Sequence, residues 1–493
     1  MAKTVEIGRI TTDIPARMDR LPWARWHWLV VIGLGTVWIL DGLEVTIVGS
    51  MSEALKPEST GLGMSSSQIG IAGAVYVAGA CVGALFFGQL TDRFGRKKLF
   101  LITLGVYTVG TVLTAFSMNP MWYFACRFLT GTGIGGEYAA INSAIDELIP
   151  AKYRGRVDIA INGSFWVGAA GGALLTIPLL DPTLVDPAWG WRIAFGLGAV
   201  LAVGILLVRR NVPESPRWLF IHGREDEGDQ IVRDIERTVT EESGKELPSV
   251  SETITIRQRR TISIPEIART VFTLYPKRTV LCFSLFVGQA FLYNAFFFTY
   301  GDTLSTFFDV KQTGYYIAVF AASNFAGALL LSPLFDRLGR VRMISGTYVV
   351  SGVLLAAAGV VLGDLNAVSL TAFGAVIFFF ASAGASAAYL TASEVFPMET
   401  RALCIAFFYA IGTAVGGITG PLLFGKLIDN ASADKDITAI AIGYFIGAAL
   451  MIAGGVIEIF LGVKAEGQSL ENIAKPLTAE DADDDQRPAP QPA

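Results

Sequence analysis

Apolar residues fall into twelve long runs along this chain, separated by short polar or charged turns. The runs are 27–49, 67–90, 99–117, 121–143, 157–179 and 191–209, then 279–300, 313–335, 343–362, 367–391, 402–425 and 437–462. Most match the roughly 20 helical residues that cross a bilayer core of about 30 Å. The pattern predicts an all-α membrane protein with twelve transmembrane helices. It also repeats. Gly88-Gln-Leu-Thr-Asp92-Arg93-Phe-Gly95-Arg96-Lys97-Lys98 has an echo in Leu334-Phe335-Asp336-Arg337-Leu338-Gly339-Arg340, and Asp92 and Asp336 are 244 residues apart. Glu147-Leu-Ile-Pro150-Ala-Lys-Tyr-Arg154 returns as Glu394-Val-Phe-Pro397-Met-Glu-Thr-Arg401, 247 residues on. A repeat at half-length predicts two six-helix bundles, with a solute site between them near the membrane midplane.

Lysine and arginine in the turns set the orientation. One set of connections holds Arg93, Arg96, Lys97, Lys98, Lys152, Arg154, Arg156, Arg337, Arg340, Arg342 and Arg401; the other holds isolated cases such as Lys56, Lys311 and Lys435. The first set is expected to be cytoplasmic, with both termini on that side. The divisions follow: a cytoplasmic N-terminal segment 1–26, a six-helix bundle 27–209, a cytoplasmic linker 210–278, a second bundle 279–462 and a tail 463–493. The linker run Glu225–Arg237 has apolar positions spaced for an amphipathic helix. The tail, rich in Asp, Pro and Ala, is expected to be largely disordered.

Composition narrows the function. Hydrophobic residues make up 52% and charged residues 16%, against about 25% charged in soluble domains. There is no basic domain to bind nucleic acid. Cys81, Cys126, Cys282 and Cys404 sit in or beside apolar runs and suggest packing rather than disulfides. With only His27 and His222, no histidine metal site is expected, and no cofactor. No nucleotide-binding loop and no catalytic constellation is visible. Residues 1–22 lack a signal-peptide core, so the first run reads as a retained span.

The repeated loops admit two readings. Their basic residues could simply hold the loops inside. Alternatively Asp92, Arg93, Glu147 and Arg154, with Asp336, Arg337, Glu394 and Arg401, form a cytoplasmic latch whose ion pairs close in one conformation and part in another. An aspartate at a helix N-terminus is favoured by the helix dipole, and Gly95 and Gly339 permit tight turns.

These loops, with Arg127-Phe-Leu-Thr-Gly131-Thr-Gly133-Ile-Gly135-Gly136, resemble the major facilitator superfamily over roughly residues 25–475. Pro213-Glu214-Ser215-Pro216-Arg217-Trp218-Leu219 and Glu466–Ile473 are similar to its sugar-porter branch. Asp41-Gly42-Leu43-Glu44 looks more like the organic-ion and synaptic-vesicle-glycoprotein branches, and Gly135-Gly136-Glu137 like bacterial metabolite–proton symporters. The resemblance implies interhelical bridges among the loop charges.

Ionisable residues inside spans are costly and functional by default. Asp41 and Glu44 share a helix face. Counting rises, Asp41 lies about 21 Å above the inner end and Arg127 about 9 Å below the outer end, and in a core of about 30 Å the two depths coincide. Arg127 could neutralise either acid. An acid beside a displaceable arginine suits proton coupling; the alternative is a static ion pair between spans one and four. Glu137 is a second titratable site or a partner for a loop arginine. The neighbouring glycines suit close helix packing.

Gln289 and Asn294 resemble the amides that bind sugar hydroxyls in sugar porters, where Tyr389 replaces a frequent tryptophan; Tyr293 and Asn162 join them as candidate contacts. Interhelical hydrogen bonding is the alternative for the amides. The expected function is a proton-coupled symporter in the cell (inner) membrane, carrying a sugar-like or polyol solute by alternating access. Its partners are that solute, protons and the lipid bilayer, with a monomer as the expected unit. An organic or aromatic acid is the rival cargo. A non-transporting receptor or sensor is the rival class.

Overall fold

A computed structural model describes residues 6–479, except 52–54, 56, 57, 59, 60, 65, 182, 210–212, 245, 260–263, 311–313, 432, 433, 435 and 478. Lys56, Lys311, Lys435 and the tail from 480 onward lie outside the described residues. The apolar runs become helices whose ends lie within eight residues of the expected ones, span seven running furthest past, to Phe308. In the first half these are Arg25–Met51, Ser66–Phe94, Arg96–Ala115, Pro120–Leu148, Arg154–Leu179 and Pro187–Arg209. In the second they are Pro276–Phe308, Gly314–Arg337, Arg340–Val360, Ala367–Glu394, Arg401–Ala431 and Ala441–Leu461. Among the described residues eleven stretches are long and apolar enough to cross a membrane. Pro120–Leu148 completes the twelve and is the polar member, carrying Arg127, Glu137, Asp146 and Glu147.

The two halves pack alike. Spans two and four, three and four, one and five, three and six, and one and six are neighbours in the first half; eight and ten, nine and ten, seven and eleven, nine and twelve, and seven and twelve repeat the pattern in the second. Even the irregularities recur. Span five is broken at Ser164, and span eleven carries a π turn at Thr413–Gly417. Between halves, span eleven meets spans two and four, while span five meets spans eight and ten.

Lipid tails are as apolar as leucine, so helices in a membrane associate through close packing at small residues. A β-carbon on Gly42 would lie 1.8 Å from the Phe165 carbonyl oxygen, and one on Gly168 would lie 1.7 Å from that of Ile39. Gly131 and Gly135 press in the same way on the Tyr76 and Ala80 carbonyls of span two. Larger residues face outward along the spans, including Phe86, Leu330 and Phe460.

The segments outside the spans build a small cap. The expected linker helix is present as Glu225–Ser243, with Val232, Ile235 and Val239 buried. A two-stranded sheet was not expected: β1 (Glu6–Thr12) pairs antiparallel with β2 (Ile254–Arg259). Each strand is too short to carry a clear period-two signal alone, and each is completed only by a partner far away in sequence. The short helix Ile14–Asp19 is tied to the linker helix by Arg17–Glu236 at 2.6 Å. Ile14, Met18 and Leu21 pack with Phe220, Val232, Ile235 and Ile256. Met398, from the turn between spans ten and eleven, joins this cluster, so the cap touches the second half.

Candidate functional site

The repeated loops are built by two glycines. Span two stays helical to Phe94, Gly95 turns with φ of +99°, and span three starts at Arg96. Gly339 does the same with φ of +95° before Arg340. A left-handed backbone of this kind suits glycine. The turn folds Arg96 back on Asp92 at 3.3 Å and Arg340 on Asp336 at 2.8 Å.

From there the charges cross between halves. Arg96 donates to Glu147 at 2.7 Å, and the same carboxylate takes Arg401 of the second half at 3.3 Å. In mirror fashion Arg340 donates to Glu394 at 3.0 Å, which faces Arg154 of the first half at 3.7 Å. The aspartates cross as well. Asp92 accepts from the Ala402 and Leu403 backbone amides at the start of span eleven, at 3.3 and 3.0 Å. Asp336 accepts from the Arg156 amide at the start of span five, at 3.0 Å. Each carboxylate therefore sits on a helix N-terminus of the opposite bundle, where dipole and free N–H groups favour it. Arg96, Arg154, Arg340, Arg401, Glu147 and Glu394 are each at most 2% exposed.

Arg93 and Arg337 stand outside this network and are exposed; the Arg93 guanidinium lies over the Phe94 ring. Arg96 and Arg340 hold the positions that Arg93 and Arg337 were expected to hold. The signal was the four-residue spacing from each aspartate, continued across the glycine turn.

The sugar-porter-like motifs buttress the same end. Glu214 accepts from the Arg96 amide at 2.9 Å, and Glu466 from the Arg340 amide at 3.3 Å, so each caps the span after its glycine. Burial pushes the Glu214 carboxyl up, and the backbone hydrogen bonds and Arg96 only partly offset this. Arg217 bridges Asp19 at 3.0 Å and Glu471 at 3.7 Å. Burial alone would lower the Arg217 guanidinium, but Asp19 and Glu471 outweigh it and raise it. Asp19 also faces Arg154 at 3.5 Å, which links the N-terminal helix to the latch.

Deeper in the bundle, Arg127 pairs with Glu44 at 2.6 Å and lies over the Tyr76 ring at 4.4 Å. Of the two acids within its reach, Glu44 holds it. Asp41 and Glu137 are fully buried, and among the described residues none of their carboxyl oxygens has a hydrogen-bond partner. One turn from Asp41, Trp38 stacks on Tyr138 at 4.6 Å. Tyr409 meets Tyr138 edge-on at 4.8 Å, and Tyr389 meets Trp38 at 6.0 Å and Phe286 at 5.0 Å. This aromatic group draws Trp38 and Tyr138 from one half and Phe286, Tyr389 and Tyr409 from the other. Only Tyr389 was singled out from sequence. Trp38 and Tyr138 could have been found beside Asp41 and Glu137.

The amides are more committed than their residue types suggest. Asn294 donates to the Ala290 carbonyl of its own helix at 2.8 Å. Asn162 donates to Asn142 at 3.0 Å and to the Asp158 carbonyl at 2.9 Å. The Tyr293 hydroxyl donates to Asn324 at 2.7 Å. Gln289 is buried in span seven.

Twelve helices in two like halves, held together at one end by a twofold set of ion pairs, define a transporter of the major facilitator superfamily. The chain belongs to the sugar (and other) transporter family, which matches residues 42–475. It is 27% identical to a niacin transporter of Acinetobacter baylyi over 94% of this chain and 99% of that protein. It is 23% identical to a 4-hydroxybenzoate transporter of Pseudomonas putida, over 84% and 90% respectively. Its fold matches a proton:xylose symporter bound to 6-bromo-6-deoxy-D-glucose, with a TM-score of 0.73, 17% identity and coverage of 93% of this chain and 99% of that one. This is a multi-pass membrane protein and a secondary transporter of small organic solutes, not an enzyme.

Proposed function

We propose that the chain is a proton-coupled symporter of the cell membrane whose cargo is a small planar aromatic acid. The aromatic group at the junction of the halves carries the reading. Trp38 and Tyr138 stack on each other, and Tyr389 and Tyr409 meet them edge-to-face from the other half, so the junction is lined with rings of both bundles. Offset and edge-to-face contacts of this kind recognise a flat ring. The niacin and 4-hydroxybenzoate transporters among the relatives have cargoes of that shape. The sugar reading loses support because Asn294 is bonded to its own helix and Asn162 to Asn142 and Asp158. Gln289 and the likeness to the xylose symporter are what still favour a polyol.

The buried acids support the coupling. A carboxylate in the bilayer core needs a partner or a proton. Among the described residues Asp41 and Glu137 have no hydrogen-bonding partner in this conformation, so a proton is the available neutraliser. Glu44 neutralises Arg127. Protonating Glu44 leaves the arginine charge unopposed and offsets the negative charge of an acid cargo, giving an exchange that moves little net charge. The loop charges, on the cytoplasmic side by the distribution of basic residues, form the latch that opens and closes the inner end.

The test is uptake into proteoliposomes with an alkaline interior. Labelled 4-hydroxybenzoate or nicotinate should accumulate, with excess xylose or inositol without effect. Sugar uptake that benzoate-like competitors leave unchanged would overturn the cargo assignment.

A further inference from the structure

Two buried acids at the latch end have no place in the mechanism above. Asp146 precedes Glu147 on span four. Asp158 lies one turn beyond Arg154 on span five. Both are fully buried; among the described residues none of their four carboxyl oxygens is hydrogen-bonded, the Ser393 hydroxyl beside Asp146 and the Asn162 amide beside Asp158 being turned to the Leu390 and Asp158 carbonyls. They lie where spans four and five meet span ten. Arg154, Arg401 and Glu394 face Asp146, while Asp146, Glu394 and Arg340 face Asp158.

Each of those arginines is already engaged. Arg154 faces Glu394 and Asp19, Arg340 holds Asp336 and Glu394, and Arg401 holds Glu147 and the Ser393 carbonyl. The Asn162 amide beside Asp158 is spent on Asn142 and a backbone carbonyl. Across this end, the six arginines 96, 154, 156, 217, 340 and 401 pair with six carboxyls: Asp19, Asp92, Asp336, Glu147, Glu394 and Glu471. Asp146 and Asp158 are two carboxyls beyond these pairs, with no ion pair among the described residues. At the rim, Asp19 lies between Arg217 and Arg154 and Glu471 faces Arg217, so this edge offers Asp146 and Asp158 no spare cation.

We propose that Asp146 and Asp158 are a proton-binding pair built into the closed latch, so that closing this end takes up protons and opening it releases them. An uncompensated buried charge is strongly unfavourable, and a proton removes it. Opening draws span ten away from spans four and five, admits water and lets both acids ionise. The closed form then holds more protons than the open form, so a fall in pH on this side favours closure. The closed-to-open ratio changes by up to about tenfold per pH unit for each proton, or about a hundredfold for two. On the cytoplasmic side this acts as a brake: acidification of the interior holds the inner gate shut and limits further proton entry. The titration itself depends neither on the cargo nor on Asp41.

The experiment uses the purified full-length chain in lipid nanodiscs without cargo. Spin labels go on the repeat-equivalent exposed positions Lys98 and Arg342, with the four native cysteines replaced. Distances are measured by double electron–electron resonance between about pH 5.5 and 8.5, a window wide enough to resolve a slope of two protons. The short-distance population should rise as pH falls. The Asp146→Asn/Asp158→Asn double variant should stay closed throughout and lose the slope. Asp41→Asn should keep it, which separates this proposal from the coupling assignment. If the double variant does not fold, each single variant should halve the slope. A parent with no pH response, a slope unchanged in the asparagine variants, or a closed population that follows sodium at fixed pH would overturn the proposal.

Discussion

The latch and the mid-membrane charge set are both built from buried arginines and carboxylates, but they are wired differently. In the latch, Glu147 and Glu394 each serve one arginine of their own half and one of the other, and the pattern occurs twice. In the membrane core, Arg127 and Glu44 belong to the same half and have no counterpart: the position 247 residues beyond Arg127 is Gly374. Pairs that cross between bundles would have to part if the bundles rocked, which is the role proposed for the latch. A pair within one bundle survives rocking and can only exchange charge with a proton or cargo. The fold repeats the ion pairs that cross between bundles and keeps the mid-membrane pair within one half.

The contrast can be broken hardest at the shared carboxylates. Glu147→Gln leaves Arg401 and part of Arg96 without a charge partner, and removing one partner of a buried pair costs about 3–5 kcal/mol. The closed form should lose stability relative to the open one by that order, read as a shift toward long latch-end distances between labels at Lys98 and Arg342. Glu394→Gln should match it; a large effect in only one half would break the twofold account. Asp92→Asn keeps the shape but removes the charge from the start of span eleven, and a helix N-terminal contact of this kind is worth about 0.5–2 kcal/mol. The same distances should move in the same direction by less.

In the core, Tyr389→Ala should weaken aromatic-acid binding about two- to tenfold, the range of one aromatic pair at about 0.5–1.5 kcal/mol. Tyr389→Phe should weaken it less. Equilibrium binding by scintillation proximity separates the two, and equal losses would assign the role to the hydroxyl.

The smallest effect lies in the cap. Burial raises the Glu236 carboxyl, but hydrogen bonds and charge from Arg17 and Arg20 outweigh it and hold it below its ordinary range. Its contribution is present above the unfolded carboxyl value and lost as pH falls through the folded one. Burial pushes His222 down to about 4 from 6.5, so the unfolded chain takes up a proton that the folded cap resists. Cap stability should therefore fall between pH 6.5 and about 4 through His222, and further below that through Glu236. Hydrogen exchange over the helix Glu225–Ser243 measures it. Arg17→Ala should flatten the acid limb by about 1 kcal/mol or less.

Much of the fold was legible because membrane helices announce themselves by length and the halves by repetition. Part of the loop-charge network was legible: Glu147 pairs with Arg401 and Glu394 faces Arg154, all four residues of the repeated loops. Two of its four arginines, 93 and 337, were misplaced by three residues because a helix and a glycine turn, not the sequence interval, decide which guanidinium points inward. The β1–β2 ribbon was hidden because its pairing is long-range. The aromatic group was hidden because rings in apolar spans look alike until the bundles are brought together. Asp146 and Asp158 escaped attention beside the motif residues that pair, since lack of a partner is a property of the fold.

The most direct test of the account compares the parent with Asp41→Asn in proteoliposomes carrying a pH gradient. The parent should accumulate labelled 4-hydroxybenzoate above its external concentration. Asp41→Asn should lose that accumulation while still exchanging labelled for unlabelled solute in counterflow. Accumulation by Asp41→Asn equal to the parent's would contradict the assignment of proton coupling to this buried acid.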